Sequence, residues 1–270
     1  MNLRILVLLC LLVSRHAYAQ TNAVTDREFF NDGSGEIEGL TKDENEYSQL
    51  KSVTFRPAPG FLLEPLKDSS FAILKKMPNI EQLQISCLTD PISEATANQI
   101  SNCKKLKVLI VENAVFSQEA LPIILRMPLE VIVLRGIPVS GQLQFLNTEQ
   151  LTNLTLRHCG LRNKDAAALA NSPRLRYLDV HRNEYLDGQF VRRLGTLRNL
   201  KLFSMTGLRL TVEDCQLVVS TFPKLQSINA ETTTIEGEEL LKSKLSNLKL
   251  LPAYDLGASP MWGWDVLEPE

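Results

Sequence analysis

The 270-residue chain lacks several features that would point to a particular chemistry. It has no GxxxxGK(S/T) loop for nucleotide phosphates and no CxxC pair of the kind that holds zinc. Its formal net charge is only -2, and residues 50–270 hold 25 bases against 23 acids, so no basic surface for nucleic acid is expected. No apolar run approaches the roughly 20 residues that a membrane-spanning helix needs. What remains is an ordinary globular composition.

The first nineteen residues differ from the rest of the chain. Arg4 precedes an apolar run from Ile5 to Val13, and the triplet Ala17-Tyr18-Ala19 follows. This order is typical of a secretory signal peptide, so we expect cleavage before Gln20 and a secreted or periplasmic protein. The apolar run is too short for a stable membrane anchor, and the small residue that precedes the cysteine of bacterial lipoprotein signals is missing before Cys10.

A unit with apolar residues at relative positions 0, +3 and +5 recurs along the chain, most clearly from Leu151 to Leu161. Alternation at +3 and +5 turns two side chains of a short strand inward. Nine such units begin at Leu50, Ile80, Leu106, Leu129, Leu151, Leu175, Leu200, Leu225 and Leu248. The pattern resembles that of the leucine-rich repeat superfamily. The resemblance implies an α/β solenoid, a right-handed horseshoe with a parallel β-sheet on its concave face and short helices on its convex face.

The repeats predict a domain over residues 50–256. It follows the signal peptide (1–19) and an acidic linker or arm (20–49), and it precedes a tail or cap (257–270). If the arm covers the open first repeat, Phe29 and Phe30 are its docking residues. Trp262 and Trp264 are expected to cap the last repeat, with an exposed recognition tail as the alternative.

Local signals predict several helices between the strands. The alanine-rich stretch from Asn163 to Asn171 is expected to be a short helix. A turn or 3₁₀ segment is expected after Ser140-Gly141. Capping residues are expected at Ser93, Ser117, Asp187 and Thr211, the last with Asp214 in a capping box.

Four cysteines remain after cleavage, at positions 87, 103, 159 and 215. An even count in an oxidising compartment permits disulfides. Cys159 nevertheless occupies an inward position of its repeat, and the spacing of the others favours buried or isolated thiols. The cysteine-rich end caps of many animal extracellular leucine-rich repeat proteins are also absent.

Positions +2, +4 and +6 of each unit are expected to face the concave side. Two neighbouring strands would then present an apolar patch of four residues beside a basic edge, which together predict a protein ligand with an apolar anchor and acidic groups. The patch is Val108, Ile110, Val131 and Val133, and the edge is Arg135, Arg157, His158, His181 and Arg182. Two alternatives stay open: a solvated face of salt bridges, or cover by the arm of residues 20–48 with Phe29 and Phe30.

Catalytic and metal chemistry find little support. His158, His181 and Asp179 fall on neighbouring strands, but Arg157 and Arg182 adjoin them and oppose a cation. We therefore expect no cofactor and no enzyme activity, and we expect an exported binding module that recognises a protein through its concave face. The alternatives are a structural cell-envelope component and a hydrolase with an unrecognised site. The sequence leaves the partner and the oligomeric state open.

Overall fold

The computed structural model describes residues 26–31, 37–38, 44–57, 68–86, 90–170, 172–195, 197–205, 210–229, 235–244 and 249–250. Its strands form one sheet in the spatial order β11 to β3, then β1, then β2. The strands are β1 (Asp26–Asn31), β2 (Ile37–Glu38), β3 (Ser52–Pro57), β4 (Gln82–Ser86), β5 (Val108–Glu112), β6 (Val131–Arg135), β7 (Asn153–Arg157), β8 (Tyr177–Asp179), β9 (Leu202–Ser204), β10 (Ser227–Asn229) and β11 (Lys249–Leu250).

Strands β3 to β11 correspond one to one with the nine predicted repeats, and each pairs in parallel with the next. The inward positions are confirmed, since Leu151, Leu154 and Leu156 of the fifth unit are all fully buried. The same positions of the first to eighth units are buried wherever the structure describes them. The chain is therefore a leucine-rich-repeat-type α/β solenoid with one continuous core.

Helices connect the strands and pack against one another in sequence order. They are α1 (Glu44–Gln49), α2 (Glu94–Ser101), α3 (Ala120–Leu125), α4 (Ala166–Leu169), α5 (Gly188–Leu194), α6 (Val212–Thr221) and α7 (Ile235–Lys244), with 3₁₀ segments at Asp68–Lys76, Leu143–Phe145 and Asn163–Asp165. The predicted helix after Asn163 thus begins as a 3₁₀ turn, and the fourth repeat has the expected 3₁₀ piece.

The caps predicted at Ser93, Asp187 and Thr211 are confirmed, whereas the N-cap residue of α3 is Glu119, whose side chain makes no capping hydrogen bond. Ser93, Asp187 and Thr211 each accept a hydrogen bond from a backbone N–H of the first turn, and Thr211 with Asp214 forms the capping box. Ser117 accepts from the N–H of Ala120, where α3 begins. Each cap satisfies a donor that the helix itself leaves unpaired.

The N-terminal arm extends the sheet. Strand β1 pairs in parallel with β3, so that Phe29 is in register with Phe55 and Phe30 with Arg56. Strand β2 then returns antiparallel to β1. Strand β1 of the arm therefore covers the edge of the first repeat, as the docking alternative expected, and its backbone does not lie over the apolar patch on β5 and β6. An open sheet edge offers unpaired backbone groups, which explains why the arm docks there.

The ninth repeat departs from its predicted register by one residue. Leu250 is the partner of Ile228, whereas the repeat pattern assigned that place to Leu251. Adjacent leucines satisfy the apolar position in either register, so the sequence pattern does not decide between them. The signal peptide, Cys87, Trp262 and Trp264 lie outside the described residues. Within the described ranges, no helix is long and apolar enough to cross a membrane.

Candidate functional concave face

Position +4 of the repeats forms a continuous line of side chains along the concave side, here called the central row. Its members are register neighbours from one strand to the next. They are Thr54, Gln84, Ile110, Val133, Thr155, Asp179, Ser204 and Asn229. From Gln84 to Asn229 each is only 0 to 6% exposed. The row faces away from the helices, yet it is as buried as the core.

The burial of the central row was not predicted. Thr155 occupies position +4, which was expected to face outward on the concave side, but it is 3% exposed. On the concave side of a curved sheet the side chains of neighbouring strands converge, so adjacent members of the row and the flanking positions cover one another. Alternation along a strand predicts which side of the sheet a residue faces. It does not predict how much of the side chain the curvature of the sheet buries.

The predicted apolar patch is present as two register pairs, Val108 with Val131 and Ile110 with Val133. Its outer pair is half-buried. Its inner pair, Ile110 and Val133, is buried as part of the central row. A ligand on the concave side would therefore contact the half-buried Val108 and Val131 more readily than the buried Ile110 and Val133.

The predicted basic edge is largely neutralised within the chain. Arg135 forms an ion pair with Glu112, which is its register neighbour on β5. Arg157 Nε lies 2.6 Å from Asp179 Oδ2, and the side chain of Asp179 is completely buried. Arg135 and Arg157 are therefore held in two internal ion pairs and are not free guanidinium groups. This arrangement agrees with the alternative of a face of salt bridges.

Asp179 is the centre of a buried hydrogen-bond network. Its Oδ2 also accepts from the Tyr177 hydroxyl at 3.2 Å, and its Oδ1 accepts from the backbone N–H of His181 at 2.9 Å. Burial and the adjacent carboxylate raise the pKa of Tyr177. Burial opposes the charge on Arg157, but the attraction of Asp179 outweighs it and raises the pKa of the guanidinium. Both carboxylate oxygens of Asp179 thus accept hydrogen bonds, one of them from a cation. A fully bonded buried network of this kind suits a structural role.

His158 and Arg182 both lie at position +7 of their units, one residue after position +6. Their φ angles are 53° and 58°, and Asn113 and Gly136 share this left-handed conformation at the same position. The N–H of His158 donates to the carbonyl oxygen of His181, so the sheet ladder continues into the turn. His158 and Arg182 are exposed at this rim, whereas His181 is 7% exposed.

The C-terminal end of the central row carries polar atoms without partners. Ser204 and Asn229 are register neighbours, here called the unpartnered pair. Among the described residues, the Ser204 hydroxyl and both amide atoms of Asn229 make no hydrogen bond. Gln84 Oε1 and Arg135 Nε are in the same condition. A buried polar group without a partner costs about 1–3 kcal/mol, and a ligand would recover that free energy only where local movement of the chain opens a path to these atoms.

Asn183 is a buried polar residue that sequence reasoning missed. Its Oδ1 accepts from the N–H groups of Cys159 and Leu161, and its Nδ2 donates to the carbonyls of Leu156 and Val180 at 2.7 Å each. Asparagine can make these bonds because its carboxamide is both donor and acceptor. An Asn three residues after an inward valine was the available signal. This side chain is fully satisfied, in contrast with Asn229.

The described cysteines are free thiols, and none is placed as a nucleophile. Cys103, Cys159 and Cys215 are all buried. Burial raises the pKa of the Cys159 thiol to about 12 and that of Cys103 and Cys215 to about 11. The reactive thiolate is thus disfavoured. Across the part of the chain that the structure describes, no group of three His, Cys, Asp or Glu side chains is arranged to hold a metal ion.

Comparison with known proteins identifies no family for the chain and leaves the function open. No family model matches the chain, and no curated protein matches it. A structure of the Rad7 and Elc1 complex in yeast is similar over 77% of each chain, with 13% identity and a TM-score of 0.32. A TLR13–ssRNA13 complex is similar over 78% of this chain and 31% of that chain, with 15% identity and a TM-score of 0.37.

Proposed function

We propose that this chain is an exported, non-catalytic leucine-rich-repeat binding module that recognises a protein ligand through its concave face. The observation that carries the proposal is the unpartnered pair. Ser204 and Asn229 hold a hydroxyl and a carboxamide with no hydrogen-bond partner in the described structure, although both are almost fully buried.

The chemistry of Asn229 favours a peptide group as its partner. Its carboxamide offers a donor and an acceptor side by side. The backbone of an extended peptide presents an N–H and a carbonyl in the complementary arrangement, as in the addition of a strand to a sheet edge. The apolar patch would hold an apolar side chain of the same ligand, and the exposed Arg182 at the rim would attract its acidic groups.

The binding proposal is tested with a random peptide library displayed on phage and the mature chain as the target. Selected peptides are then measured against Asn229→Leu, Ser204→Ala and the control Val115→Asp, whose side chain is 51% exposed. Loss of a paired carboxamide should weaken binding about tenfold or more, because tenfold corresponds to about 1.4 kcal/mol. Unchanged affinity in a folded Asn229→Leu variant would exclude this face.

If Asn229 had only a structural role, Asn229→Leu should lower the free energy of unfolding. The binding role predicts a different result. Since Asn229 is unpaired in the free protein, Asn229→Leu should leave the free energy of unfolding unchanged or raise it. A variant that is stable and yet has lost its ligand is the signature of a binding residue. The export half of the proposal is tested separately: amino-terminal sequencing of protein recovered outside the cytoplasm should give Gln20, and an intact Met1 on the major species would contradict it.

A further inference from the structure

Charge is distributed unevenly along the edge of the sheet where the strands begin. This edge is formed by the four residues that lead into each strand, positions −2 to +1 of the repeats. In the first five repeats these positions hold four lysines and three glutamates, whereas in the sixth, seventh and eighth they hold five bases and no acid. The five bases, here called the cationic cluster, are Arg174, Arg176, Arg198, Lys201 and Lys224.

The register of the strands brings the cationic cluster together. Leu202 is the register partner of both Tyr177 and Ser227, so the residues that precede these three lie side by side at one edge. The backbone N–H of Lys201 donates to the carbonyl oxygen of Arg176 at 2.8 Å. Neighbouring strands are about 4.8 Å apart, so three strands place the cluster on a surface about 10 Å wide. Its side chains are exposed, apart from the half-buried Lys201.

Neutral acceptors hold two of these cations in place. Arg174 Nη1 donates to Gln150 Oε1 at 2.6 Å, and Lys224 Nζ donates to Asn199 Oδ1 at 2.9 Å. Among the described residues, no ion pair includes a member of the cationic cluster. These contacts therefore position positive charge at the edge without neutralising it.

The first three repeats show the neutralised form of the same edge. Lys51 and Lys107 occupy position +1 of the first and third repeats, and each Nζ lies 3.8 Å from a carboxylate oxygen of Glu81, at position +1 of the second. Arg176 and Lys201 occupy position +1 of the sixth and seventh repeats, with no acid beside them at this position. The chain thus neutralises this edge near its N-terminal end and leaves it positive further along.

We propose that the cationic cluster is a docking surface for a short acidic segment of the partner protein. The inference deepens the proposed function and rests on it in taking a protein as the ligand. Guanidinium groups bind carboxylates through paired hydrogen bonds, and an anion between neighbouring cations relieves their repulsion. Position +2 of the same strands is on the concave side, so a peptide on that side can continue across this edge.

The extent of the cationic cluster favours a short peptide over a long polyanion or a membrane. Glu149 and Glu130 lie at the same edge in the fifth and fourth repeats. A nucleic acid, a sulfated polysaccharide or an anionic bilayer that extends past the sixth repeat therefore meets negative charge. A peptide of six residues spans about 20 Å when extended, which is enough to cover the cluster alone.

Binding of a labelled hexaglutamate peptide to the mature full-length chain tests the inference. Fluorescence anisotropy at about 0.05 M salt, where screening is weaker than at physiological ionic strength, should show binding that hexaglutamine lacks. Arg176→Gln combined with Lys201→Gln should weaken this binding about tenfold, because two exposed cation–carboxylate contacts are lost. Lys51→Gln combined with Lys107→Gln is the matched control. It removes the same charge from the same repeat position, but these lysines are already paired with Glu81, so the affinity should stay within about twofold.

Three results would overturn the proposal, provided that far-UV circular dichroism shows folded variants. If wild-type protein does not bind hexaglutamate, the cationic cluster is a solvated face. If both double variants lose the same affinity, overall charge attracts the peptide and the cluster does not. Vesicles of phosphatidylserine and phosphatidylcholine, and separately dextran sulfate, are measured in parallel. If one of these binds through Arg176 and Lys201 while hexaglutamate does not, the cluster recognises a bilayer or a polysaccharide and the peptide assignment is wrong.

This test and that of the proposed function can fail independently. Asn229→Leu should leave hexaglutamate binding unchanged, because Asn229 is at position +4 and not at the edge. If library peptides depend on Asn229 but hexaglutamate does not bind, the concave face stands and the acidic segment is wrong. If hexaglutamate binds through the cationic cluster but no library peptide depends on Asn229, the ligand is held at this edge and the concave face is excluded.

Discussion

The central row of the concave side is as buried as the inward positions of the helix side, but the two are built from different chemistry. On the helix side, positions +3 and +5 are hydrocarbon, as in Leu154 and Leu156. On the concave side, the central row mixes Ile110 and Val133 with a charged network and with the unpartnered Asn229. Burial of the first kind stabilises the fold through the removal of apolar surface from water. Burial of the second kind leaves polar groups that gain free energy only when something pairs with them.

The largest effect should come from breaking the buried ion pair on the concave side. Arg157→Leu would leave the Asp179 carboxylate fully buried without its cation, so we expect the free energy of unfolding to fall by about 3–5 kcal/mol. Arg135→Leu is the matched control, because the Glu112 pair is partly exposed and should be worth about 1 kcal/mol or less. Denaturant unfolding measures both.

A double variant sharpens this result. Arg157→Leu with Asp179→Leu removes both charges together, so much of the lost stability should return. If the single and double variants are equally unstable, the network does not act through charge and the account of Asp179 given above is wrong.

The two sides of one strand provide the next comparison. Leu156→Ala on the helix side should lower the free energy of unfolding by about 2–5 kcal/mol, because it opens a cavity in the core. Thr155→Ala on the concave side should cost about 1 kcal/mol, more than a surface change, since Thr155 is buried. Equal unfolding midpoints for the two variants would mean that the strand faces are assigned wrongly.

A third prediction concerns the pH dependence of the helix side. The folded Cys159 thiol keeps its proton to about pH 12, whereas an unfolded cysteine loses it near 8.5. The unfolded state therefore binds fewer protons between these values, and stability is complete below about pH 8.5 and falls as pH rises, by up to about 1.4 kcal/mol per unit. Cys159→Ala should make the slope of unfolding free energy against pH shallower. An unchanged slope would contradict a buried protonated thiol.

The sequence predicted the helix side far better than the concave side, and the reason is physical. The inward positions repeat in every unit, so a local pattern identifies Leu154 and Leu156 from period alone. The pairing of Arg135 with Glu112 required the register of two strands, although equal +6 positions in adjacent repeats already indicated it. The pairing of Arg157 with Asp179 runs diagonally between positions +6 and +4, and no column of equal positions contains both residues.

The unpartnered pair was also beyond the sequence. Serine and asparagine are ordinary surface residues by composition, and their significance arises from burial that curvature produces. The left-handed residues at position +7 were missed for a different reason. Their residue types differ from repeat to repeat, with glycine in one repeat and histidine or arginine in others, so the sequence does not show that they share a conformation. Gly136 alone gave the signal, since a glycine just after a strand commonly supports a positive φ.

The smallest predicted effect lies at this rim, where both sides of the sheet end. Gly136→Ala should lower the free energy of unfolding by about 1–2 kcal/mol, because φ is 68° and a new Cβ would lie 3.0 Å from Asn113 Oδ1. His158→Gly is the reverse change at the same repeat position, and it relieves a left-handed histidine at φ 53°. Glycine also gains entropy in the unfolded chain, so the net rise in stability should be only about 0.5 kcal/mol. Opposite signs in denaturant unfolding would establish a shared backbone turn. A loss of stability in His158→Gly would instead show that the imidazole makes contacts within the chain that outweigh the strain.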